Sequence, residues 1–449
     1  MKQGHQDFAP LIELKKENVS TLIQNVELFD GISNTTHKNQ DIIIANGRIK
    51  EIGPTGTLKA KSEKTIDANG MFLMPGLIDS HVHISGSGAM PWKNVKPKLK
   101  YNLEAYLYAG ITTIYDLGGL AGEMRKTAAK LESGKLAGPS LFHTHIPVTI
   151  KDSHPIPLAK LMLPKMLGFL ANLVFPTIKK ESDAKKIVRS FKKKGVHYMK
   201  LACDKIPPGS PEMPSEFLKA LVRESHANNL KVFVHIGSVD NALNAVNAGA
   251  DILAHGIWRD KLKQEEAQQI ADSGVKVIYT LAGFVNVDKI NRGEFSPSEI
   301  DRKMVPCCIL DPVAEEKGKD VHKQEVMNEF FQNVSDHQPH WAHNFKLLND
   351  LNVPILVGTD SNLPGTYAGA TYYQELYELN KVGLSNLKIL QGATYGNATL
   401  FIEKPDFGHV SVGAKADLLL FEKSPLEDIQ AIENPTYIFK SGKRVNRIR

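Results

Sequence analysis

Short runs of alternating apolar and polar positions, broken by glycine and asparagine, fill the first part of the chain. Segments 21–30 and 41–53 both follow this pattern. In the second segment, β-branched residues flank Asn46 and Gly47, and Asn-Gly between two apolar runs is the strongest short-range signal for a β-hairpin. The N-terminal part of the chain is therefore predicted to be rich in β-strands.

The last part of the chain, 408–449, repeats this pattern. It contains an apolar run at 416–421, typical of a buried strand, and a second hairpin signal at 437–445. Two β-rich ends around a middle of different character favour one domain that both termini build together. We therefore predict a small composite β-sandwich domain formed by residues 1–74 and 403–449.

The middle of the chain, 75–402, alternates short apolar runs with helical patterns, which is typical of parallel β/α units. Eight such units close naturally into a barrel. The eight strand candidates are Leu77–Ile84, Thr112–Leu117, Ser140–His145, His197–Ala202, Lys231–Ile236, Asp251–Gly256, Lys276–Leu281 and Pro354–Asp360. The predicted fold class is therefore α/β, a (β/α)8 TIM barrel that carries the composite β-sandwich domain.

Two connections in the predicted barrel are unusually long, 146–181 and 282–340. Long insertions in a compact fold are usually functional or disordered. The first insert contains an apolar patch, Leu158–Phe175. Three interpretations of this patch remain open: a lid over the site, which we favour, an oligomer contact, and a contact with a membrane surface. We expect the chain to form a homo-oligomer.

The composition is that of an ordinary globular protein with a large core. Hydrophobic residues make up 42% of the 449-residue chain and charged residues 23%. The formal net charge of +6 is modest for this length, and no recognisable nucleic-acid-reading motif accompanies it. We therefore expect a small-molecule substrate and no nucleic-acid partner.

The chain contains three cysteines, Cys203, Cys307 and Cys308. Because this number is small and odd, a disulfide framework is not expected, which fits a reducing compartment. The N-terminal residues lack the apolar run of a signal peptide. No run of about 18 purely apolar residues occurs, so we expect no integral membrane segment. These features together predict a cytoplasmic protein.

A His-x-His pair, His81 and His83, lies at the end of the first predicted barrel strand. Spacing by two places both imidazoles on one face of a strand, where they can chelate a zinc-like ion. His143 and His145 have the same spacing near the end of the third strand. We interpret this second pair as lid or pocket residues, with packing in the core or at the surface as the alternative.

The later strands add further ligand-type residues at the same end. Lys200, His235, His255 and Asp360 are placed at the ends of the fourth, fifth, sixth and eighth predicted strands. In a barrel of this type the carboxyl ends of the strands converge on one mouth, where catalysis occurs. Buried charge is costly unless it is paired or bound to metal. The residues alone therefore predict a metal site at this mouth.

Three other residues near strand ends are harder to interpret. Arg259 follows the sixth strand, and we interpret it as a surface residue, with a contact to a substrate carboxylate as the alternative. Tyr198 and Tyr279 either line the pocket or pack in the core.

With these residues in place, the chain resembles the amidohydrolase superfamily, in its imidazolonepropionase-like and Xaa-Pro dipeptidase-like branch. The segments that carry the resemblance are Met74–His83, Lys200, His235, His255, Gly358–Asp360, Asn46–Ile49, Ala393–Ala398 and Gly408–Leu418. Together they span about the whole chain apart from the two inserts. They are specific for the superfamily and say little about any one substrate.

The resemblance implies a centre with two divalent metal ions, zinc in the first place and iron or manganese as alternatives. The metal ligands that it implies are His81, His83, Lys200, His235, His255 and Asp360. His81, His83 and Asp360 would hold the first ion, and His235 and His255 the second. Lys200 would react with CO2 and bridge both ions as a carbamate, whose oxygens are donors that an ammonium lacks.

The implied reaction is hydrolysis of a non-peptide or dipeptide amide bond by metal-bound hydroxide. Asp360 would act as general base and then general acid. One alternative is a deaminase of a nitrogen heterocycle, in which one metal suffices and His255 polarises the substrate. Another alternative is a structural homologue without catalytic activity. Because Lys200 favours two metals, we rank amide hydrolysis first.

Overall fold

The computed structural model describes residues 8–15, 19–58, 62–91, 95–161, 165–310 and 321–449. Positions 162–164 of the predicted apolar patch and 311–320 of the second predicted insert lie outside the described residues. The strands are β1 (Ile12–Leu14), β2 (Thr21–Leu28), β3 (His37–Ala45), β4 (Arg48–Pro54), β5 (Lys64–Asp67), β6 (Phe72–Pro75), β7 (Leu77–Val82), β8 (Ile111–Asp116), β9 (Ser140–His143), β10 (Tyr198–Ala202), β11 (Lys231–His235), β12 (Ile252–Ala254), β13 (Lys276–Ile278), β14 (Ile355–Leu356), β15 (Leu418–Phe421), β16 (Tyr437–Lys440) and β17 (Lys443–Arg447).

The helices are α1 (Leu99–Tyr108), α2 (Ala121–Glu132), α3 (Ile156–Leu161), α4 (Ala171–Val174), α5 (Asp183–Lys193), α6 (Ser215–His226), α7 (Val239–Asn247), α8 (Gln264–Asp272), α9 (Leu281–Arg292), α10 (Glu299–Met304), α11 (Cys307–Leu310), α12 (Val321–Asp336), α13 (Gln338–Asp350), α14 (Ala370–Lys381) and α15 (Asn386–Gln391). Shorter 3-10 turns occupy Lys165–Leu170 and Ile429–Glu433, and a π-helical turn occupies Gly392–Gly396. None of the described helices is both long and apolar enough to cross a membrane.

Strands from both ends of the chain form one nine-stranded sheet. Its order is β1-β17-β16-β15-β6-β2-β3-β4, and β5 pairs with β2. The predicted hairpin joins β3 to β4, and Asn46 and Gly47 have φ angles of 52° and 74°, as a tight turn between twisted strands requires. A buried aliphatic cluster that includes Ile23, Ile42 and Leu418 packs against this sheet. The structure confirms a sheet drawn from both termini, and its division into two sandwich layers stays a prediction.

All eight predicted barrel strands are present, and they pair in parallel. β7, β8 and β9 form one sheet, and β10 to β14 form a second one in chain order. Most residues of these eight strands are buried at successive positions, which explains why the strands are rich in apolar residues in the sequence. The register places Lys200 beside Phe233 and His235 beside Ala254, so residues on successive strands reach the same level.

Each of these eight strands contributes one side chain to a common cluster, whose members come earlier along the strands than the ligand residues. The members from the strands are Ile78, Tyr115, Phe142, Tyr198, Phe233, Ile252, Ile278 and Leu356. Tyr198 therefore packs in the interior, and its hydroxyl donates to the carbonyl oxygen of Asp116 at 3.1 Å. Tyr279 is also buried, with its ring centroid 5.0 Å from that of Phe345. The core alternative is correct for both tyrosines.

The helices between the strands cover the sheets with one apolar face each. In α5, Ala184, Val188 and Phe191 are buried at helical spacing, whereas the lysines of the same helix face outward. Helix α7 begins with a capping box, in which the Ser238 side chain accepts from the backbone N–H of Asn241. Such helices hold the strands in place and keep their carboxyl ends at one level.

Both inserts contain helices. The first insert includes α3, a 3-10 turn and α4, and the second includes α9 to α12. A separate apolar cluster joins the inserts, with Leu161 from the first and Phe331 and Trp341 from the region of the second. The inserts therefore pack together above the carboxyl ends of the strands.

Candidate metal and active site

The predicted metal ligands meet at the carboxyl ends of the parallel strands. His81 lies within β7, His83 directly follows that strand, and Asp360 follows β14. The Nε2 atoms of His81 and His83 lie 3.1 and 3.0 Å from the same oxygen of Asp360. Ligand atoms of the three residues all lie within 4.8 Å of one another. This spacing is compatible with one shared cation.

His255 connects this group to the second predicted set. Its Nε2 lies 3.8 Å from Asp360 Oδ2 and 3.0 Å from Nδ1 of His235. Its Nδ1 lies 2.6 Å from the hydroxyl of Thr280, which fixes the ring and leaves Nε2 as the atom that faces the site. His235 is the last residue of β11 and His255 follows β12, as the sequence predicts.

Lys200 is a buried lysine whose amine makes no hydrogen bond to any described residue. It lies in the middle of β10 and not at the end of the strand, where it was predicted, because Leu201 and Ala202 still belong to the strand. Burial lowers the pKa of Lys200 to about 7, although Asp360 opposes the shift. A buried ammonium without a partner is costly, so the neutral amine is strongly favoured here compared with an exposed lysine.

The chemistry of this cluster fits a divalent metal centre. Burial lowers the pKa of His81, His235 and His255 well below the usual value, so these imidazoles are neutral and have lone pairs available. Burial alone would raise the pKa of Asp360, but His255 and His83 hold it below its usual value, so the carboxylate is ionised. Because His81 and His255 are neutral, their contacts with Asp360 are not ion pairs. Neutral imidazole nitrogens beside an ionised carboxylate suit a shared metal ion.

Local backbone geometry explains how β14 comes so close to β7. A Cβ at Gly358 would lie 2.9 Å from the Cβ of His81, so a side chain at this position would displace the ligand. Asp360 has a φ angle of 57°, a left-handed conformation that is uncommon for residues other than glycine. The loop is thus shaped to turn the Asp360 carboxylate back towards the two histidines.

Asp79 is a buried carboxyl that fastens the two ligand-bearing strands together. It accepts hydrogen bonds from the N–H of His81 at 3.3 Å and from the N–H and hydroxyl of Thr359 at 3.1 and 2.6 Å. Burial raises the pKa of Asp79 to about 7. Asp79 was not predicted as a functional residue, although its spacing of two from His81 places it on the same face of the strand.

Asp204 and Arg259 form an ion pair beside His235. Asp204 is fully buried, and its Oδ1 lies 2.6 Å from Nη1 of Arg259 while its Oδ2 lies 3.5 Å from Nε2 of His235. The interpretation of Arg259 as a surface residue is therefore wrong, because its guanidinium neutralises a buried carboxylate. This arrangement places a carboxylate, balanced by the Arg259 guanidinium, beside the His235 ring.

A cavity of about 320 Å³ opens from the ligand cluster, and both inserts contribute to its walls. His154, from the first insert, has its ring centroid 4.4 Å from that of His235. Burial lowers the pKa of His154 to about 4. His154 was not predicted as a site residue, because it lies in an insert, where spacing along the chain does not reveal position in the fold. The lid interpretation of the inserts stays a prediction, and the structure shows that they form walls.

His143 and His145 do not line this cavity, so their interpretation as lid or pocket residues is wrong. Both are buried. The Nδ1 of His145 accepts from the N–H of Ala121 at 3.2 Å, at the start of α2, and the Nδ1 of His143 contacts the carbonyl oxygen of Thr144 at 3.0 Å. Their ring nitrogens thus satisfy backbone groups in the core.

Comparison with known proteins agrees with this geometry. A model of the amidohydrolase family matches residues 72–445. Ochratoxinase of Aspergillus niger is 22% identical over 438 residues, which cover 90% of this chain and 82% of that protein. Its crystal structure has a TM-score of 0.72 at 19% identity, and the match covers 95% of this chain and 96% of that one.

Two further solved structures have the same fold. A Xaa-Pro dipeptidase with methionine bound in its active site has a TM-score of 0.76 at 20% identity, over 95% of this chain and 99% of that one. Molinate hydrolase has a TM-score of 0.75 at 16% identity, over 96% of this chain and 95% of that one. The family match spans most of the chain and includes every predicted ligand, so the predicted resemblance is confirmed. The chain therefore belongs to the amidohydrolase family, as a hydrolase acting on carbon–nitrogen bonds.

Proposed function

We propose that this chain hydrolyses an amide bond of a small molecule with the help of two divalent metal ions. The observation that carries the proposal is the convergence of His81, His83 and Asp360 beside the buried, unpartnered amine of Lys200. The relatives support it, because an Xaa-Pro dipeptidase, an ochratoxinase and a molinate hydrolase are all named for hydrolysis.

His81, His83 and Asp360 would hold one ion, and His235 and His255 the other. Zinc suits this donor set of neutral imidazoles and a carboxylate, with iron and manganese as alternatives. Such ions, when bound, lower the pKa of water and polarise a carbonyl group. Asp79 fastens His81, and Asp204 and Thr280 hold His235 and His255, so the chain presents its ligands in fixed orientations.

Lys200 would serve both ions as a carbamate. The neutral amine attacks the carbon of CO2 and releases a proton, and the product carries two carboxylate-like oxygens. The Lys200 amine is buried and has no hydrogen-bond partner among the described residues. This favours the carbamate, because an ammonium there would stay unpaired next to cations. The carbamate would also offset the positive charge of the two ions.

Asp360 would move the proton during hydrolysis. Its carboxylate is ionised and faces the site, so it can accept a proton from the attacking water and return it to the leaving nitrogen. His255 lies 3.8 Å from Asp360 and faces the same space, which suits a role beside the carbonyl oxygen of the substrate. The two residues are therefore the catalytic residues of the proposal.

We also infer that the two parallel sheets close into one barrel. The common cluster with a member from every strand supports closure. At one seam the N–H of Ser80 donates to the carbonyl oxygen of Val357 at 3.2 Å, and at the other the N–H of His197 donates to that of His143 at 3.0 Å. The domains that we propose are an N-terminal part of the composite β-domain, the barrel and a C-terminal part of that domain, at 1–74, 75–402 and 403–449.

The proposal is tested by a substrate panel that separates amide hydrolysis from deamination. N-acyl amines, dipeptides and cyclic ureides represent the first reaction, and aminated heterocycles represent the second. We expect the metal-loaded protein to release amines from members of the first group. Ammonia release from a heterocycle without any amide turnover would overturn the proposal in favour of the deaminase.

A further inference from the structure

The cavity above the ligand cluster is apolar almost everywhere else. Its walls beyond the ligands are built mostly from prolines, aliphatic residues and three phenylalanines, and the polar residues among them are His154, Thr280 and Thr366. The apolar residues that decide its character are Leu158, Ile206, Phe284, Met327, Phe330 and Phe331. Phe284 packs edge-on against the ring of His255, with centroids 5.8 Å apart, so the apolar wall begins directly beside the proposed metal site.

Two polar side chains of the wall, Thr366 and Thr280, make hydrogen bonds within the protein. The hydroxyl of Thr366 is within hydrogen-bond distance of the carbonyl oxygens of Asp360 and Leu363, at 3.2 and 2.9 Å. The hydroxyl of Thr280 contacts His255. Nδ1 of His154 is a side-chain atom of the wall that makes no hydrogen bond to the described residues, and its ring lies 4.4 Å from that of His235, at the metal end of the cavity. The part of a substrate that lies away from the scissile bond therefore faces mainly apolar side chains.

A substrate carboxylate would also find no cation in these walls. Among the described residues that line the cavity, Lys200 is the only lysine or arginine, and the proposed function uses it as a bridging ligand. Arg259 is close in the fold, but its guanidinium is taken up by Asp204 and stacks on Trp258 at 4.5 Å. Lys160, next to the lining residue Ala159, pairs with Asp152 at 2.7 Å.

From these observations we infer that the substrate is a small, neutral amide whose apolar group lies between Phe284, Phe331 and Met327, and that a free carboxylate is excluded. The inference rests on the proposed hydrolysis and adds the substrate class. Burying an unpaired carboxylate among apolar walls is strongly unfavourable, whereas each buried methylene is favourable. A volume of about 320 Å³ is near the lower end of the range for small-molecule sites, about 300–1,000 Å³.

Matched substrate pairs test this inference. N-hexanoylpyrrolidine and N-hexanoyl-L-proline differ by one carboxylate on the amine side, and the adipoyl analogue of the first places a carboxylate at the far end of the acyl chain. We expect kcat/KM for the neutral amide to exceed that for each carboxylate by about 30-fold or more. Each methylene added from acetyl to hexanoyl is expected to raise kcat/KM by about fourfold.

A charge introduced into the wall is expected to reverse part of this preference. Leu158 lines the cavity and is half-buried, so an arginine there can reach an acyl-chain carboxylate without a buried, unpaired charge in the free protein. In Leu158→Arg we expect kcat/KM for the adipoyl substrate to rise about tenfold and that for the hexanoyl substrate to fall. Leu167→Arg is the matched control, because Leu167 is exposed on the same insert and is not a lining residue.

The outcomes separate the substrate class from the reaction. Equal or faster hydrolysis of the carboxylate substrates would overturn the inference and leave the hydrolase function intact. If turnover is too slow to rank the substrate pairs, their binding to the metal-loaded protein is compared by calorimetry. Binding of the carboxylate substrates alone would also overturn the inference, and so would the absence of binding by either substrate of a pair. A protein that binds no metal and cleaves no amide would remove the proposed function itself.

Discussion

Replacing Asp360 by asparagine is expected to lower kcat by about 10²–10⁴-fold, the usual contribution of a positioned acid or base. Asparagine has nearly the same shape and keeps one carbonyl oxygen beside His81 and His83, so much of the metal should remain bound. It cannot accept the proton of the attacking water. The measurement is kcat on the best amide substrate, together with the metal content of the same preparation.

Asp272→Asn is the matched control for this variant. Asp272 ends helix α8 and is an exposed residue that accepts a hydrogen bond from Gln268. The same chemical change there should leave kcat and metal content unaltered, since surface substitutions away from special features have small effects. Near-native kcat in Asp360→Asn would show that another group is the base.

Replacing Lys200 by alanine is expected to remove one metal ion and leave the other in place. The first ion keeps His81, His83 and Asp360, whereas the second loses the oxygen donor that joins it to the first. Since the reaction as proposed uses both ions, kcat should fall at least as far as in Asp360→Asn. Metal analysis of the purified variant, before and after dialysis, gives the number of ions that each chain retains.

Lys276→Ala controls for the loss of a lysine from one of the parallel strands. Lys276 begins β13, and its amine donates to the carbonyl oxygen of Thr399 at 3.3 Å, away from the ligand cluster. This variant should keep both ions. Two tightly bound ions in Lys200→Ala would contradict the bridging role and leave Lys200 as a residue that contacts substrate.

Most of the fold was predictable from the sequence because buried parallel strands are unusually simple in pattern. Strands covered on both faces are continuous apolar runs, and all eight of them were located in this way. Their ends were less accurate. β12 and β14 are shorter than predicted, because the chain bends towards the site at His255 and Asp360 instead of continuing the ladder.

The ligand residues were predictable because each follows an apolar run at the same end of a strand. The residues that hold them were not, because their contacts depend on the paths of loops. Asp204 and Arg259 are 55 positions apart, and no pattern along the chain links them. His154 reaches the site from an insert, and Thr280 does so from the turn before α9. Their roles became visible only once the strands fixed where those loops begin.

The two-metal centre is tested most directly by counting the divalent ions on the purified chain. The protein is produced in medium supplemented with zinc, iron and manganese, dialysed against metal-free buffer, and analysed by mass spectrometry of the elements. We expect two equivalents per chain, and fewer in a variant that lacks both His81 and His83. One equivalent in the unaltered protein would contradict the bridging role of Lys200, and only trace metal would contradict the metal centre altogether.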